Sequence, residues 1–233
     1  MSESPKKQLA DEHEYVKLVV GDMDATTITV GILVFDDVEL LDFAGPYEVL
    51  TTAAHLFEED GASSAPLFAV STIAMGGGPV RSRAGLRFSA DHDFSSHPPL
   101  DLLIVPGGRG TQTLPEPRVV TGWIAAVAAR ARITASVCTG AYLLAEAGLL
   151  DDLSATTHWD DVAGLRAARP TVTVVEDVRW VDEGAVVTAA GISAGIDMSL
   201  HLVERLAGRE LALQTARYME YVWDEGPGRP HAS

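Results

Sequence analysis

Cysteine and positive charge are both scarce in this chain of 233 residues. It contains one cysteine, so no disulfide can form within the chain, and nothing in the sequence indicates an oxidising compartment. Lysine and arginine number 17 against 33 acidic residues, which gives a formal net charge of −16. This balance opposes non-specific binding to nucleic acid, because such binding depends on lysine and arginine contacts to phosphate.

Long apolar stretches are missing as well. No run approaches the roughly 18 to 20 apolar residues that are needed to cross a bilayer. The first residues, Met1–Glu14, are polar and charged and do not form a signal peptide. We therefore expect a cytoplasmic protein with no membrane partner. Hydrophobic residues still make up 47% of the chain, which is enough for one sizeable core.

Composition also suggests the domain limits. Residues 1–26 are polar and charged apart from Val16–Val20, which predicts a flexible N-terminal extension. Val16–Val20 could instead add an edge strand or cover a partner subunit. Residues 27–225 predict a single α/β domain, and residues 226–233 form a polar tail.

Apolar runs alternate with helix patterns throughout this domain. Four runs predict buried strands, namely Thr27–Phe35, Leu67–Ala74, Asp101–Val105 and Ile133–Val137. Helix patterns include one that begins at Pro46, a residue suited to a first helical turn, and one over Pro117–Ala131. The alternation predicts an α/β fold with a mostly parallel central sheet. Asp91–Asp93 carries metal-ligand residue types, but no second cluster supports it, so we expect a solvated loop and no metal.

The stretch around the single cysteine is the most informative. A buried strand over Ile133–Val137 is followed at once by the small-residue turn Cys138-Thr139-Gly140 and then by a helix pattern. A strand, a sharp turn and a helix form the geometry of a nucleophile elbow. We expect the positive end of the helix dipole to lower the pKa of the Cys138 thiol. The alternative is a buried structural cysteine.

Two further features should lie beside this elbow. An acidic segment, Asp36–Asp42, follows the first strand, and Gly107-Gly108 follows the strand that ends at Val105. Ligands bind at the carboxyl ends of parallel strands, so these features and Cys138 should share one sheet edge. A dinucleotide fingerprint is weak here, because Thr113 stands in the place of its third glycine. A turn that exposes backbone N–H groups is the better interpretation.

Taken together, these motifs resemble the ThiJ/PfpI superfamily. The resemblance rests on Pro106–Gly108, on Ser136–Gly140 and on Ala155–Trp159, in the family's order and spacing. It implies a class I glutamine amidotransferase-like fold, that is, a flavodoxin-like three-layer sandwich. Four motifs narrow the resemblance to isonitrile hydratases and to the sensory half of AraC-type regulators. They are Leu41-Asp42 followed by Gly45-Pro46, Ser136–Gly140, Ala155–Trp159 and Gly191–Asp197.

The resemblance also implies roles for individual residues. Cys138 matches the nucleophile, and Asp42 matches an acidic residue near the thiol that acts as general acid and base. Gly108 and Thr139 match positions whose backbone N–H groups bind an oxyanion, and Gly107 adjoins them. The family implies no cofactor and commonly forms homodimers.

Three functions remain open at this point. The first is hydration of isonitriles, small-molecule substrates, to N-substituted formamides through Cys138 and Asp42. The second is a non-catalytic sensing module, and the third is another cysteine-dependent hydrolase or a redox-responsive protein. Thr139 stands where peptidase-like members place a histidine after the cysteine, which argues against a Cys–His peptidase. His158 matches a histidine often found near the site, although a structural role is equally open.

Overall fold

A computed structural model of the protein describes residues 27–59 and 65–226. The predicted N-terminal extension, including Val16–Val20, and the predicted tail after residue 226 lie outside the described residues. The domain limits therefore stay predictions.

Strands within the described residues form one main sheet and two small ones. In chain order they are β1 (Ile28–Leu33), β2 (Phe68–Ala74), β3 (Gly78–Arg81), β4 (Arg87–Ala90), β5 (His92–Asp93), β6 (Leu102–Val105), β7 (Ile133–Val137), β8 (Ser154–Ala155), β9 (Thr173–Val174), β10 (Trp180–Asp182) and β11 (Val186–Ala189). The main sheet has the order β10-β11-β7-β6-β1-β2-β5. Its pairs are parallel except for β10 with β11, which confirms the predicted mostly parallel sheet.

Helices cover this sheet. They are α1 (Leu40–Glu59), α2 (Gly110–Thr113), α3 (Pro117–Ala128), α4 (Gly140–Glu146), α5 (Val162–Ala168), α6 (Ala194–Ala207) and α7 (Arg209–Tyr218). Helices α1, α6 and α7 pack against one another, and α4 packs against α3 and against the strands β6 and β7. The arrangement is the predicted three-layer α/β sandwich.

The central strands are apolar because both of their faces are covered. Every residue of β6 and of β7 is buried. Close packing of helix on sheet also requires small residues, since a methyl group at Gly195 in α6 would lie 3.0 Å from the Val137 side chain. The core therefore reaches the end of the strand that leads into the elbow.

The start of α1 differs from the sequence prediction. The helix begins at Leu40, so Pro46 lies inside it and not in its first turn. Phe43 and Leu50 are seven residues apart and both buried, so the apolar face of the helix begins before the proline. Pro46 has no N–H to donate to the carbonyl of Asp42, four residues earlier. The prediction was wrong because it treated the proline as a start signal.

A second difference concerns the predicted loop at Asp91–Asp93. His92 and Asp93 form the short edge strand β5, which pairs in parallel with the end of β2. The Asp91 carboxylate accepts hydrogen bonds from the Thr72 N–H at 2.8 Å and from the Thr72 hydroxyl at 2.7 Å. These contacts attach the segment to the sheet.

Candidate functional site

Cys138 lies at the sharp turn between β7 and α4. Its φ of 57° is in the left-handed region, which a non-glycine residue adopts only when its surroundings hold it there. The Cys138 N–H donates to the carbonyls of Ala189 and Ala190, each at 3.1 Å, and the Thr157 hydroxyl donates to the Cys138 carbonyl at 2.8 Å. The predicted nucleophile elbow is therefore present, and both of its backbone polar groups are fixed.

Glycines allow the elbow to sit tightly against the neighbouring strand end. A methyl group at Gly140 would lie 2.1 Å from the Val105 carbonyl oxygen, and one at Gly107 would lie 2.5 Å from the Thr139 nitrogen. Any side chain at either position would push the end of β6 away from the elbow. The backbone after β6 is consequently held in contact with the residue that follows the cysteine.

Asp42 reaches the same point from the first turn of α1. Its side chain is fully buried, and Oδ2 accepts a hydrogen bond from the Gly107 N–H at 3.0 Å. Its Oδ1 is also buried and has no hydrogen-bond partner among the described residues. Three chain segments, at Asp42, Gly107 and Cys138, therefore meet at one sheet edge, as expected for features that follow the carboxyl ends of parallel strands.

The environment of Asp42 raises its pKa to about 7, from an ordinary value of 3.8. Burial is the main cause, because a carboxylate loses its hydration there. The Gly107 N–H opposes this effect, and the negative charge of Glu39 adds to it. Arg83 forms an ion pair with Glu39 and contributes a small lowering of the Asp42 pKa. Asp42 can therefore both give and take a proton near neutral pH.

The pKa of the Cys138 thiol is shifted in the opposite direction from the sequence prediction. The pKa of Cys138 is raised to about 12, and not lowered, first by burial and then by the charge of Asp42. The Thr139 N–H at the start of α4 does lower the pKa, but this effect is smaller than the two that oppose it. Helix α4 has only seven residues, and Cys138 as a whole is 7% exposed, so loss of hydration dominates.

Asp42 and Cys138 are best treated as a coupled pair. Burial disfavours two negative charges beside each other, so above pH 7 the pair carries one charge, and it resides on Asp42. A thiolate forms without a second charge when the Cys138 proton moves to Asp42. The pair can thus produce a nucleophile by internal proton transfer.

The proposed oxyanion positions form a local hydrogen-bond network. The Gly108 N–H donates to the Thr139 hydroxyl oxygen at 2.9 Å, and the Thr111 hydroxyl donates to the Gly108 carbonyl at 2.9 Å. The hydroxyls of Thr111 and Thr139 lie 3.3 Å apart. The Gly108 N–H is therefore engaged by Thr139, and a bound oxyanion would have to replace that hydroxyl.

His158 caps a short helical turn over Trp159–Asp161. Its Nδ1 accepts a hydrogen bond from the Asp160 N–H at 3.3 Å and lies 3.5 Å from an Asp161 carboxylate oxygen. Its ring packs on Gly191, where a methyl group would lie 2.1 Å from Cδ2. These contacts give His158 a structural role and do not require it to act on the thiol.

Two residues that contribute to the site were not predicted from the sequence. Thr157 holds the Cys138 carbonyl, and the charge of Asp161 raises the pKa of Cys138. The run Ala155–Trp159 indicated a segment near the site. Nothing in its pattern, however, predicted that the hydroxyl of Thr157 would contact the elbow backbone.

A cavity of about 270 Å³ lies beside the elbow. Thr157, His158 and Ala190 line it, together with Gly191 and Ile192 ahead of α6. Two of these residues also hold the elbow, since Thr157 bonds the carbonyl of Cys138 and Ala190 bonds its N–H. The cavity therefore borders the backbone of the elbow, but neither Cys138 nor Asp42 lines it.

Residues 27–59 and 65–226 contain no candidate metal centre and no candidate membrane span. No group of three or more histidine, cysteine, aspartate or glutamate side chains there is arranged to hold a metal ion. Within the same ranges, no helix has the length and apolar character needed to span a membrane.

Curated relatives include an enzyme and several transcription regulators. The chain is 37% identical over 196 residues to an isonitrile hydratase from Pseudomonas putida, covering 83% of this chain and 78% of the relative. It is 32% identical over 193 residues to the HTH-type transcriptional regulator GbdR from Pseudomonas aeruginosa. That match covers 83% of this chain but only 50% of the regulator.

Solved structures show the same two kinds of neighbour. A THiJ/PfpI family protein from Pseudomonas syringae superposes with a TM-score of 0.74 at 28% identity, covering 89% of this chain and 80% of that one. An AraC family transcriptional regulator from Pseudomonas putida gives a TM-score of 0.70 at 25% identity, covering 82% and 99%. The model of the DJ-1/PfpI family matches residues 28–205, which contain the elbow, Asp42 and the Gly107 turn. The chain therefore belongs to the DJ-1/PfpI family.

Proposed function

We propose that the protein hydrates isonitriles to N-substituted formamides, with Cys138 as nucleophile and Asp42 as general acid and base. The observation that carries this proposal is the fully buried Asp42 beside the elbow thiol, with a pKa near 7. The similarity to an isonitrile hydratase supports it. A carboxyl group that changes charge near neutral pH suits a reaction that must move protons in both directions.

In the first step, a proton passes from the Cys138 thiol to the Asp42 carboxylate. The resulting thiolate attacks the terminal carbon of the isonitrile and forms a carbon–sulfur bond. The neutral Asp42 then gives its proton to that same carbon. The product is a thioimidate attached to Cys138, and Asp42 is again a carboxylate.

In the second step, water completes the reaction. The Asp42 carboxylate takes a proton from water as the oxygen bonds to the thioimidate carbon, and this proton passes to the substrate nitrogen. The carbon–sulfur bond then breaks, the formamide carbonyl forms, and the hydroxyl proton returns through Asp42 to the sulfur. One water is consumed for each isonitrile, and the Cys138 thiol is regenerated.

The test measures by chromatography how much formamide the protein produces from the isonitrile cyclohexyl isocyanide. Cys138→Ala and Asp42→Asn should each reduce turnover by at least about 100-fold, the range expected for loss of a nucleophile or a general acid–base group. Ser136→Ala is the matched control, because Ser136 is buried in β7, the strand that leads to Cys138. Its hydroxyl has no hydrogen-bond partner in the described chain. A Cys138→Ala variant with wild-type turnover would refute the mechanism.

A sensing role is the second candidate, because two regulators align with more than four-fifths of this chain. In that case the elbow and its cavity would bind a small molecule without turnover. Ligand-dependent thermal stabilisation, with no formamide from any isonitrile tested, would favour this role. Under either role we expect a homodimer, as the resemblance implies, and light scattering in solution would measure it.

A further inference from the structure

We infer that a second cavity, at the carboxyl ends of β1 and β2, binds a small organic ammonium ion with an apolar substituent. This cavity has a volume of about 370 Å³. It lies between the loop after β1, the turn after β2 and the segment that follows α2. The inference is independent of the proposed hydration reaction, because neither Cys138 nor Asp42 lines this space.

The walls of the cavity are mainly apolar. Val34, Phe35 and Val80 form its buried part, and Met75 and Leu114 are half-buried at its side. A space of this size can enclose a ring of six or so carbon atoms, since small-molecule pockets in proteins have volumes of about 300 to 1,000 Å³. Apolar contact would supply the affinity for such a ring.

The charge of the residues that line the cavity determines the sign of the charge that a ligand should carry. Asp36 and Asp37 line the cavity, and no other residue in its lining is ionisable. One Asp36 carboxylate oxygen accepts a hydrogen bond from the Arg81 backbone N–H at 2.9 Å, but neither aspartate has an ion-pair partner in the described part of the chain. Two uncompensated carboxylates beside apolar walls favour a cation and repel an anion.

The loop that bears these aspartates is well fixed. The Asp37 N–H donates to the Arg81 carbonyl at 2.8 Å, and the Asp37 carbonyl accepts from the Gly110 N–H at 3.2 Å. A methyl group at Gly110 would lie 2.1 Å from the Asp36 carbonyl oxygen. The cavity walls are therefore positioned before a ligand binds, which reduces the entropy cost of binding.

The test uses isothermal titration calorimetry with three ligands of one shape, cyclohexylammonium, cyclohexanol and cyclohexanecarboxylate. We expect the wild-type protein to bind cyclohexylammonium most tightly, with a Kd that rises at high salt. The double variant Asp36→Asn with Asp37→Asn should bind it about five-fold more weakly, as expected for two exposed ion pairs. Asparagine keeps the acceptor that Asp36 offers to Arg81 and tolerates the positive φ of 59° at Asp37.

Three control variants test where the ligand binds. Asp152→Asn removes the carboxylate of an exposed residue that, like Asp37, has a positive φ, here 62°, and it should leave the Kd unchanged. Cys138→Ala should also bind as the wild type does, because the ligand does not occupy the elbow. Leu114→Trp, with folding checked by circular dichroism, should fill the cavity and weaken binding. Equal binding of cyclohexanol or of the carboxylate, an unchanged Kd in the double aspartate variant, or no binding of cyclohexylammonium would overturn the inference.

Discussion

Replacing Asp42 with asparagine should change the stability of the protein by an amount that depends on pH. The folded-state pKa of Asp42 is about 7, and its ordinary value is 3.8. Between these values the unfolded chain loses the proton while the folded protein keeps it. The wild-type free energy of unfolding therefore falls by about 1.4 kcal/mol for each pH unit over this window.

Above pH 7 the full cost of the buried charge is present, roughly 4 kcal/mol across the window. Below pH 3.8 both states are protonated and the cost is zero. Asparagine avoids this cost, and at low pH its amide NH₂ takes the place of the O–H that the protonated carboxyl carries at Oδ1, where neither donor has a partner in the described chain. We therefore expect Asp42→Asn to be about as stable as the wild type at low pH and more stable at pH 8.

The assay is urea unfolding of both proteins at several pH values. Subtracting the two free energies removes the contributions of every other titrating group. The difference should move by about 3 kcal/mol in favour of Asp42→Asn between pH 5 and pH 8. Asp152→Asn, an exposed substitution, should remain within about 0.5 kcal/mol of the wild type. A difference for Asp42→Asn that stays constant across this range would refute the reasoning.

Three more outcomes follow from the site. Ser136→Ala should leave the free energy of unfolding unchanged or raise it, because the Ser136 hydroxyl is buried without a partner among the described residues. A decrease in that free energy of more than about 1 kcal/mol would contradict this expectation. Gly140→Ala should destabilise the fold by about 2 kcal/mol or more in calorimetry, since its methyl group would lie 2.1 Å from the Val105 carbonyl oxygen. Iodoacetamide should modify native Cys138 more slowly than the unfolded chain at pH 8. Asp42→Asn should speed the reaction of iodoacetamide with native Cys138, because it removes the charge that raises the thiol pKa. Mass spectrometry measures the labelling rates of the wild type and of the variant.

The sequence predicted the backbone of the site well. The strand Ile133–Val137 has the predicted limits, because a short apolar run bounded by small turn residues has few alternatives in an α/β protein. Asp42, Gly107 and Cys138 meet because they follow parallel strands whose carboxyl ends share an edge. The parallel direction of the strands and the turn residues that follow them carried this part of the prediction.

Electrostatics and side-chain contacts were much less predictable. The dipole argument gave the wrong direction for the thiol pKa, because it ignored how deeply Cys138 and Asp42 are buried. Burial depends on the packing of α1 against the sheet, and the start of this helix was misplaced at Pro46. The hydrogen bond from Thr157 to the elbow connects segments 19 residues apart, a distance that no local pattern encodes.

The single cysteine allows local opening of the elbow turn to be measured by thiol labelling. Because Cys138 is 7% exposed, a bulky thiol reagent can reach it only when the surrounding segments separate. With no other thiol in the sequence, the labelling rate reports one event at one position and needs no engineered probe. Comparing that rate with the rate of global unfolding would tell whether the turn opens by itself or only when the whole domain unfolds.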